Sequence, residues 1–429
     1  MAIESIALIP SGVKATKVYS QLPVDGGGDF TFDRGTSTTQ TRVNKDGLIE
    51  DVAQDVPRLD YLDGGCPSLL LEPASTNLIT YSEDLSNAAY SPIRANVSVN
   101  QILSPDGSVN ADKIVEDTTA TNTHSNQQNV TVANGDLSYS VFIKKGERTK
   151  VLIQFTDLIT GSIGVKYDLE NREEISFSVG GSWTNGSYKV VDYGNDWLRF
   201  EVSGTSGAGT SVGCQVFLLD DDGNTSYTGD GTSGLYAWGF QLEQKSYATS
   251  YIPTSGSTET RAAEICNGAG TTDEINSQEG VLYFEGRAIA DDLSYRVISL
   301  SNGGGSNRVV LGYNNSNNTI YTFMDSSSAS QGNISYSVID ITDYLKVAVL
   351  YRENDRKFYV NGLLVGVDTS ATMPTGLNEL AFDSGTGGSP FYGRCKRLSV
   401  YDSALSDSEL EALTGFSSFA EMASYLSYS

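Results

Sequence analysis

Histidine is almost absent from this chain: His124 is the only one in 429 residues. One imidazole cannot build a His-rich metal site, and no nucleophile stands near it in the sequence. Ser-His-Asp and Cys-His chemistries are therefore unsupported. The polar run Thr121 to Gln128 predicts a solvated loop for it. Cysteine is scarce as well. Cys66, Cys214, Cys266 and Cys395 lie far apart with no C-x-x-C pair, which excludes a small disulfide scaffold and predicts buried or semi-buried thiols. Positive charge is short: 28 Lys and Arg stand against 53 Asp and Glu, a formal net charge of −25. Phosphate backbones repel such a chain, so no nucleic-acid partner is expected. No apolar run approaches the roughly 18–20 residues of a membrane helix, so no membrane insertion is expected. Met1 to Glu4 carries no basic stretch of a secretory signal.

What the chain has is glycine (44) and tyrosine (24, more than the 15 Phe and 3 Trp together). Alternating apolar positions mark strands at Leu137–Ile143, Val151–Phe155, Tyr188–Val191, Trp197–Val202, Cys214–Leu219 and Leu235–Leu242. Lys145-Gly146, Gly180-Gly181, Asn185-Gly186 and Gly223-Asn224 punctuate them. A second set comprises Val281–Glu285, Tyr295–Leu300, Arg308–Tyr313, Thr319–Phe323, Leu345–Tyr351, Lys357–Val365 and Lys396–Tyr401. Within it, Asn361-Gly362 is a hairpin signal, because both central turn residues need positive φ.

Helical signals are confined to the C-terminus. Ser406-Asp-Ser-Glu409 is a capping box, with Leu405 and Leu410 as its hydrophobic staple and Gly415 at the expected left-handed stop. A second short helix is predicted from Ser418 through Met422, Tyr425 and Leu426. The expected fold is all-β: two β-sandwich (jelly-roll) domains, an extended N-terminal arm and one or two short C-terminal helices. The boundaries are an arm over 1–80, a jelly roll over 81–260, a polar Gly-rich linker over 261–278 and a second sandwich over 279–429. The arm reading follows from the few apolar positions before residue 80, chiefly Leu69 to Leu71 between two prolines.

Several phrases resemble a recurrent block of tailed-bacteriophage structural proteins. They are Thr41-Arg-Val-Asn44, Gly47-Leu-Ile-Glu50, Pro57-Arg-Leu-Asp-Tyr61, Cys66-Pro-Ser-Leu-Leu-Leu-Glu-Pro73, Thr76-Asn77-Leu78 and Tyr81-Ser-Glu83. In that family the block precedes a jelly roll similar to carbohydrate-binding modules. The module's closing phrase is matched by Trp238-Gly-Phe-Gln-Leu-Glu243 and Ala248-Thr-Ser-Tyr-Ile-Pro-Thr254. Residues 279–415 resemble a concanavalin A-like lectin or laminin-G-like domain through Phe358-Tyr-Val-Asn-Gly362, Arg397-Leu-Ser-Val-Tyr-Asp402 and Ala404-Leu-Ser-Asp-Ser-Glu-Leu410. Such domains are sandwiches that bind glycans or proteins, often with calcium.

Glycan binding needs aromatic platforms beside polar groups. Trp183, in a turn-rich segment, and Tyr227, Tyr313 and Tyr321 are the candidates; Trp197 and Trp238, inside strands, are expected in the core. Asp220, Asp222 and Asp230 form the densest acidic stretch and are the calcium candidates, although their spacing is not that of an EF-hand. No other cofactor is expected. Catalysis is not expected either. The glucanase Glu-x-Asp-x-x-Glu pattern is missing, since Phe358 stands where the last Glu after Glu353 and Asp355 belongs. Glu173-Glu174 and Asp291-Asp292 are adjacent pairs that point to opposite faces of a strand.

These readings converge on a phage virion structural protein at the particle surface, in a head or tail fibre or spike. It would display glycan- or host-binding modules, bind other virion proteins through its arm and form a homo-oligomer. Free thiols fit assembly in the host bacterial cytoplasm. A capsid decoration or cementing protein without a glycan ligand is the alternative, and a polysaccharide depolymerase is the least favoured.

Overall fold

The computed structural model describes residues 3–36, 40–157, 161–207 and 211–426. It is all-β: among the described residues there are many antiparallel strands and two short helices. The chain divides into two units. One comprises Ser37–Val52 with Ala74–Ala262, the other Met1–Thr36 and Ala53–Pro73 with Ala263–Ser429.

The unit containing residues 74–262 is built on two antiparallel sheets. The first runs in the order Ala95–Leu103, Val109–Glu116, Gly234–Glu243, Gly135–Lys144, Leu198–Ser206, Thr184–Asp192. The second runs His124–Thr131, Ser211–Leu218, Lys150–Thr156, Ser162–Asp168, Glu173–Val179. Alternation explains the core. Leu137, Tyr139, Val141 and Ile143 meet Ile153, Phe155, Val165 and Val216 inside. The opposite face of the same strand is covered too, because Phe142 packs edge-on against Tyr193 (4.9 Å) and Trp238 (5.4 Å). The register slips between Ser140 and Phe142, opposite Gly239 at φ +66°. A Cβ at Gly239 would lie 2.8 Å from the Phe142 ring. This bulge turns Trp238 to the outer face while Phe240 stays in the core.

The other unit stacks a sheet ordered Leu363–Asp368, Arg356–Val360, Leu345–Arg352, Glu279–Ala288, Gly393–Tyr401, Ser68–Leu71, Arg58–Asp60 against one ordered Ala329–Ser337, Thr319–Ser326, Arg308–Tyr313, Arg296–Ser301, Glu379–Ala381. Asn361 (φ +48°) and Gly362 (φ +83°) form the expected hairpin turn. The helix Asp407–Thr414 has the expected capping box: Ser406 N–H donates to Glu409 Oε2 (2.8 Å), and Glu409 N–H points back to Ser406 Oγ (3.4 Å). A second helix spans Phe419–Tyr425.

Several expectations differ from the structure. Segments of the expected extended arm supply strands to a sheet. Glu4–Leu8 pairs with Gly393–Tyr401, as does Ser68–Leu71, so Ile6, Leu8, Leu69 and Leu71 gain a core that the segment could not build alone. The expected linker over 261–278 is also structured: Ile265–Asn267 pairs with Phe30–Asp33, and Cys266, Ala269 and Ile275 are buried. Gly415 is extended (φ −66°), not left-handed; it ends the helix lying close to Gly362. Cys66 is exposed, whereas the other three thiols are buried. His124 is fully buried at the start of a strand. Its Nδ1 is 2.7 Å from the Arg94 carbonyl oxygen and its ring lies 4.7 Å from that of Tyr227.

Candidate functional site

Polar residues at Thr41, from Asn77 to Glu83 and from Gln241 to Thr254 meet in the unit containing residues 74–262. Asn77 Nδ2 donates to the carbonyls of Phe240 (3.1 Å) and Ile252 (2.9 Å), and its Oδ1 accepts from the N–H groups of Ile79 (3.0 Å) and Leu242 (3.1 Å). Gln241 Oε1 accepts from Ile252 N–H (2.7 Å), and Glu243 Oε2 accepts from Thr249 N–H (2.8 Å). Ser82 and Thr254 exchange two bonds: Thr254 N–H to Ser82 Oγ (2.8 Å) and Ser82 N–H to Thr254 Oγ1 (3.0 Å). Thr41 Oγ1 donates to the Tyr251 carbonyl (2.6 Å). These buried amides and hydroxyls clamp the segment after Gly234–Glu243 onto the segment before Ala95–Leu103, where each unmade bond would be costly.

The clamp frames two clefts that share Glu83. One, of about 480 Å³, is lined by Tyr81, Glu83, Asn100, Asn110, Asp112 and Thr254, among others. The other, of about 360 Å³, is lined by Thr41, Asp51, Glu83, Asp106, Trp238 and Tyr251, among others. Both volumes suit small ligands. Glu83 is held on both oxygens: Tyr251 Oη donates to Oε1 (2.8 Å) and Asn110 Nδ2 to Oε2 (3.1 Å). Burial pushes its carboxyl above the usual range. The Tyr251 bond opposes that rise, and Asp106 and Asp51 add to it. Burial raises Asp112 as well, against hydrogen bonds from the Asn100 and Leu85 N–H groups, each 2.9 Å long.

Among the described residues, no Lys, Arg or His lines either cleft. Two buried polar atoms on their walls have no hydrogen-bond partner: Asn110 Oδ1 and Trp238 Nε1. The arrangement offers carboxylate and amide groups beside aromatic walls. Such groups suit a hydroxyl-rich ligand.

None of the sequence-predicted aromatics lies here. Trp183 is 4 % exposed; it packs edge-on against Phe155 at 4.8 Å and donates from Nε1 to the Gly161 carbonyl (3.2 Å). Tyr227 is 9 % exposed and donates to Glu116 Oε2 (2.7 Å). Tyr313 (1 %) belongs to the main core, and Tyr321 (6 %) to a small cluster with Val297 and Val310. Buried rings offer no open face for a sugar, so these four are packing residues. Trp197 and Trp238 are buried as expected.

Asp220 accepts from the N–H groups of Asp222 (3.1 Å) and Asn224 (2.7 Å), which makes a turn and not a coordination shell. Asp222 is exposed. Asp230 accepts from Thr232 N–H and Ser233 N–H, each 2.7 Å; bonds from Ser233 and Thr232 hold its carboxyl low. Among the described residues, no group of three His, Cys, Asp or Glu could hold a metal ion. Glu83 carries no motif of its own in the sequence. The only signal was an acid next to the clamp residue Ser82.

Residues 286–411 match the family described as the concanavalin A-like lectin/glucanases superfamily. No curated protein matches the chain. The chain is similar to several solved structures. The Ruminococcus gnavus IT-sialidase CBM40 bound to alpha2,3 sialyllactose is 20 % identical, over 35 % of this chain and 94 % of that one, with a TM-score of 0.30. Domain 4 of AbnA, a GH43 extracellular arabinanase from Geobacillus stearothermophilus in complex with arabinotriose, is 13 % identical over 35 % and 73 %, with a TM-score of 0.30. Mouse laminin alpha1 chain domains LG4-5 are 9 % identical over 67 % and 90 %, with a TM-score of 0.24.

Proposed function

We propose that this protein is a non-catalytic glycan-binding component displayed on the surface of a tailed-phage particle. The observation that carries the binding part is the pair of clefts around Glu83, with carboxylate, amide and aromatic groups on their walls. The lectin-superfamily match over 286–411 supports it. The particle setting rests on the phrases from Thr41 to Glu83 and from Trp238 to Thr254. Attachment to other virion proteins then falls to a folded surface, since Glu4–Leu8 and Ser68–Leu71 are built into a sheet. Single contacts of this kind are weak, and many copies on one particle gain avidity.

The test presents the full chain, multimerised on beads, to an array that includes bacterial surface polysaccharides. Retention on a defined set of glycans is expected; no retention at any bead density overturns the binding reading. Release of reducing ends from a retained polymer overturns the non-catalytic part. Antibody labelling of purified particles at their surface is expected, and particles that never carry the chain overturn the setting. Capsid cementing without a glycan is the second reading. The buried state of Trp183, Tyr227, Tyr313 and Tyr321 favours it. It predicts particles that weaken when stripped of the protein.

A further inference from the structure

In the sheet that contains Thr319–Ser326, Arg308–Tyr313 and Arg296–Ser301, Val309, Leu311, Ile320 and Met324 point into the core. Alternation sends Arg308, Val310, Tyr321 and Phe323 to the outer face. On the neighbouring strand Asn333 and Ser335 stand opposite Phe323 and Tyr321, and both are exposed. Tyr295, just before Arg296–Ser301, joins this face. Its ring meets that of Tyr321 at 5.8 Å and 70°, and Tyr321 stacks on Phe323 at 5.8 Å and 19°. Tyr321 is buried and Phe323 half-buried, so they act as a support; Tyr295 is 46 % exposed and is the ring left open to water.

The turn that carries Tyr295 is pinned on both sides. Asp291 Oδ2 accepts from Asn318 N–H (2.7 Å), and Asp292 Oδ2 pairs with Arg296 Nη2 (2.6 Å). Between them and the ring, Leu293 has φ +58°, a left-handed backbone that is unusual for a bulky side chain, and it is 53 % exposed. Strain that holds two large apolar side chains in water serves no packing, and strain of this kind gathers at contact sites. Hydrogen-bonding groups border the open ring. Arg308 Nε donates to Asp325 Oδ2 (2.8 Å) and Nη1 to the Ser384 carbonyl (3.0 Å), while its side chain stays 20 % exposed beside Phe323. Both cations of this face are thus matched by carboxylates, which leaves no spare positive charge for an acidic ligand. Two exposed apolar residues fall far short of the roughly 800 Å² per partner of a standard protein interface. An open ring edged by amide, hydroxyl and guanidinium groups fits a pyranose, which has an apolar C–H face and a rim of hydroxyls.

We infer that this strip is a second glycan-contact surface, where an uncharged pyranose lays its C–H face on Tyr295 and its hydroxyls bond to Ser335, Asn333 and Arg308. The inference rests on the glycan reading above and adds a contact that does not involve the Glu83 clefts. The pinned turn and the Tyr321 support hold Tyr295 in place before the sugar arrives.

Tyr295→Trp in the full chain supplies a local reporter, because the three native tryptophans are buried. The variant is titrated with neutral oligosaccharides of glucose, galactose and mannose, and with their uronate-bearing counterparts. A saturable shift of the introduced indole's emission to shorter wavelength is expected with a neutral sugar. Calorimetry with that sugar should show Tyr295→Ala lowering affinity about threefold to tenfold, at an unchanged melting temperature. Asn333→Ala should lower it about twofold to tenfold. Should Tyr295→Trp not bind, Tyr295→Ala and Asn333→Ala decide. Glu83→Gln, run in parallel, separates the two surfaces: sugar binding that falls with Glu83→Gln but not with Tyr295→Ala overturns this inference and leaves the glycan reading standing. A response to acidic sugars alone overturns it too. So does self-association, or capture of another virion protein, that Tyr295→Ala abolishes and sugars do not affect, because the face would then dock protein. No binding of any sugar by the parent chain removes both readings.

Discussion

Arg58 Nε lies 2.9 Å from Glu264 Oε1, a contact that joins residues 206 positions apart with both side chains closed to water. Arg34 donates to the same oxygen from Nε (3.0 Å) and Nη2 (2.6 Å), and Arg58 Nη1 reaches Glu72 Oε2 at 2.7 Å. Burial alone would push the Arg58 guanidinium down, but Glu264 and Glu72 hold it above its ordinary value. Two buried cations thus share two buried carboxylates, and the early segments of the chain are tied to the segment that follows Ala262.

Glu264→Gln therefore leaves Arg34 and Arg58 buried with too little negative charge. The expected loss is about 3–5 kcal/mol of stability, read as a lower urea midpoint. Arg172→Ala is the control. That residue pairs with Asp192 at the surface, each about half exposed, and its removal costs less than about 1 kcal/mol. Equal effects of the two substitutions would contradict the network's role.

Much of the fold was legible where the determinants are local. The alternation of Leu137 to Ile143, the Asn361-Gly362 turn and the Ser406–Glu409 box each depend on a few neighbouring residues. The pairing of Glu4–Leu8 with Gly393–Tyr401 was not legible, because no local signal marks a partner almost 400 residues away. Trp183 misled for a related reason. Its Gly- and Ser-rich flanks read as an exposed turn, whereas the ring folds inward onto Phe155. The Glu83 clefts were invisible in sequence because residues near 41–51, 81–86, 99–112 and 238–255 assemble them. Asn77, Ser82, Gln241 and Thr254 hold the clamp, so their polar side chains mark architecture first.

Trp183→Ala tests that correction. Removing a buried indole packed on Phe155 costs about 3–5 kcal/mol, measured by chemical denaturation. The variant that remains folded at low temperature should retain wild-type glycan affinity. A selective loss of affinity with unchanged stability would restore Trp183 as a contact residue.

Asn77→Ala addresses the clamp. The amide satisfies two carbonyls and two N–H groups, and alanine orphans all four in a buried place. A loss of about 2–4 kcal/mol is expected, with faster proteolysis near Ile252 as a second readout. Asn77→Asp keeps the acceptor side but loses the donor side, so its loss should be of similar size. A neutral result for alanine would show that backbone pairing alone holds these segments.

Glu83 supplies a pH test. Burial raises its carboxyl above the ordinary glutamate value, and Asp106 and Asp51 add to the rise against the bonds from Tyr251 and Asn110. The folded chain therefore keeps this proton to a higher pH than the unfolded chain does. Stability from this group is present below the ordinary value and declines as pH rises through the window up to the raised value. Glu83→Gln is neutral at every pH, and its amide oxygen can still accept from Tyr251 Oη. Its melting temperature at pH 7 should equal or exceed that of the unsubstituted chain, and the difference should shrink as pH falls below the ordinary glutamate range. Thermal melts across pH 3.5–8, numbers set by the roughly 4.3 reference for glutamate, read this directly. A variant that becomes progressively less stable than the parent as pH rises would mean that the charged form of Glu83 is favoured in the fold, and that the carboxylates around it repel less than their placement implies.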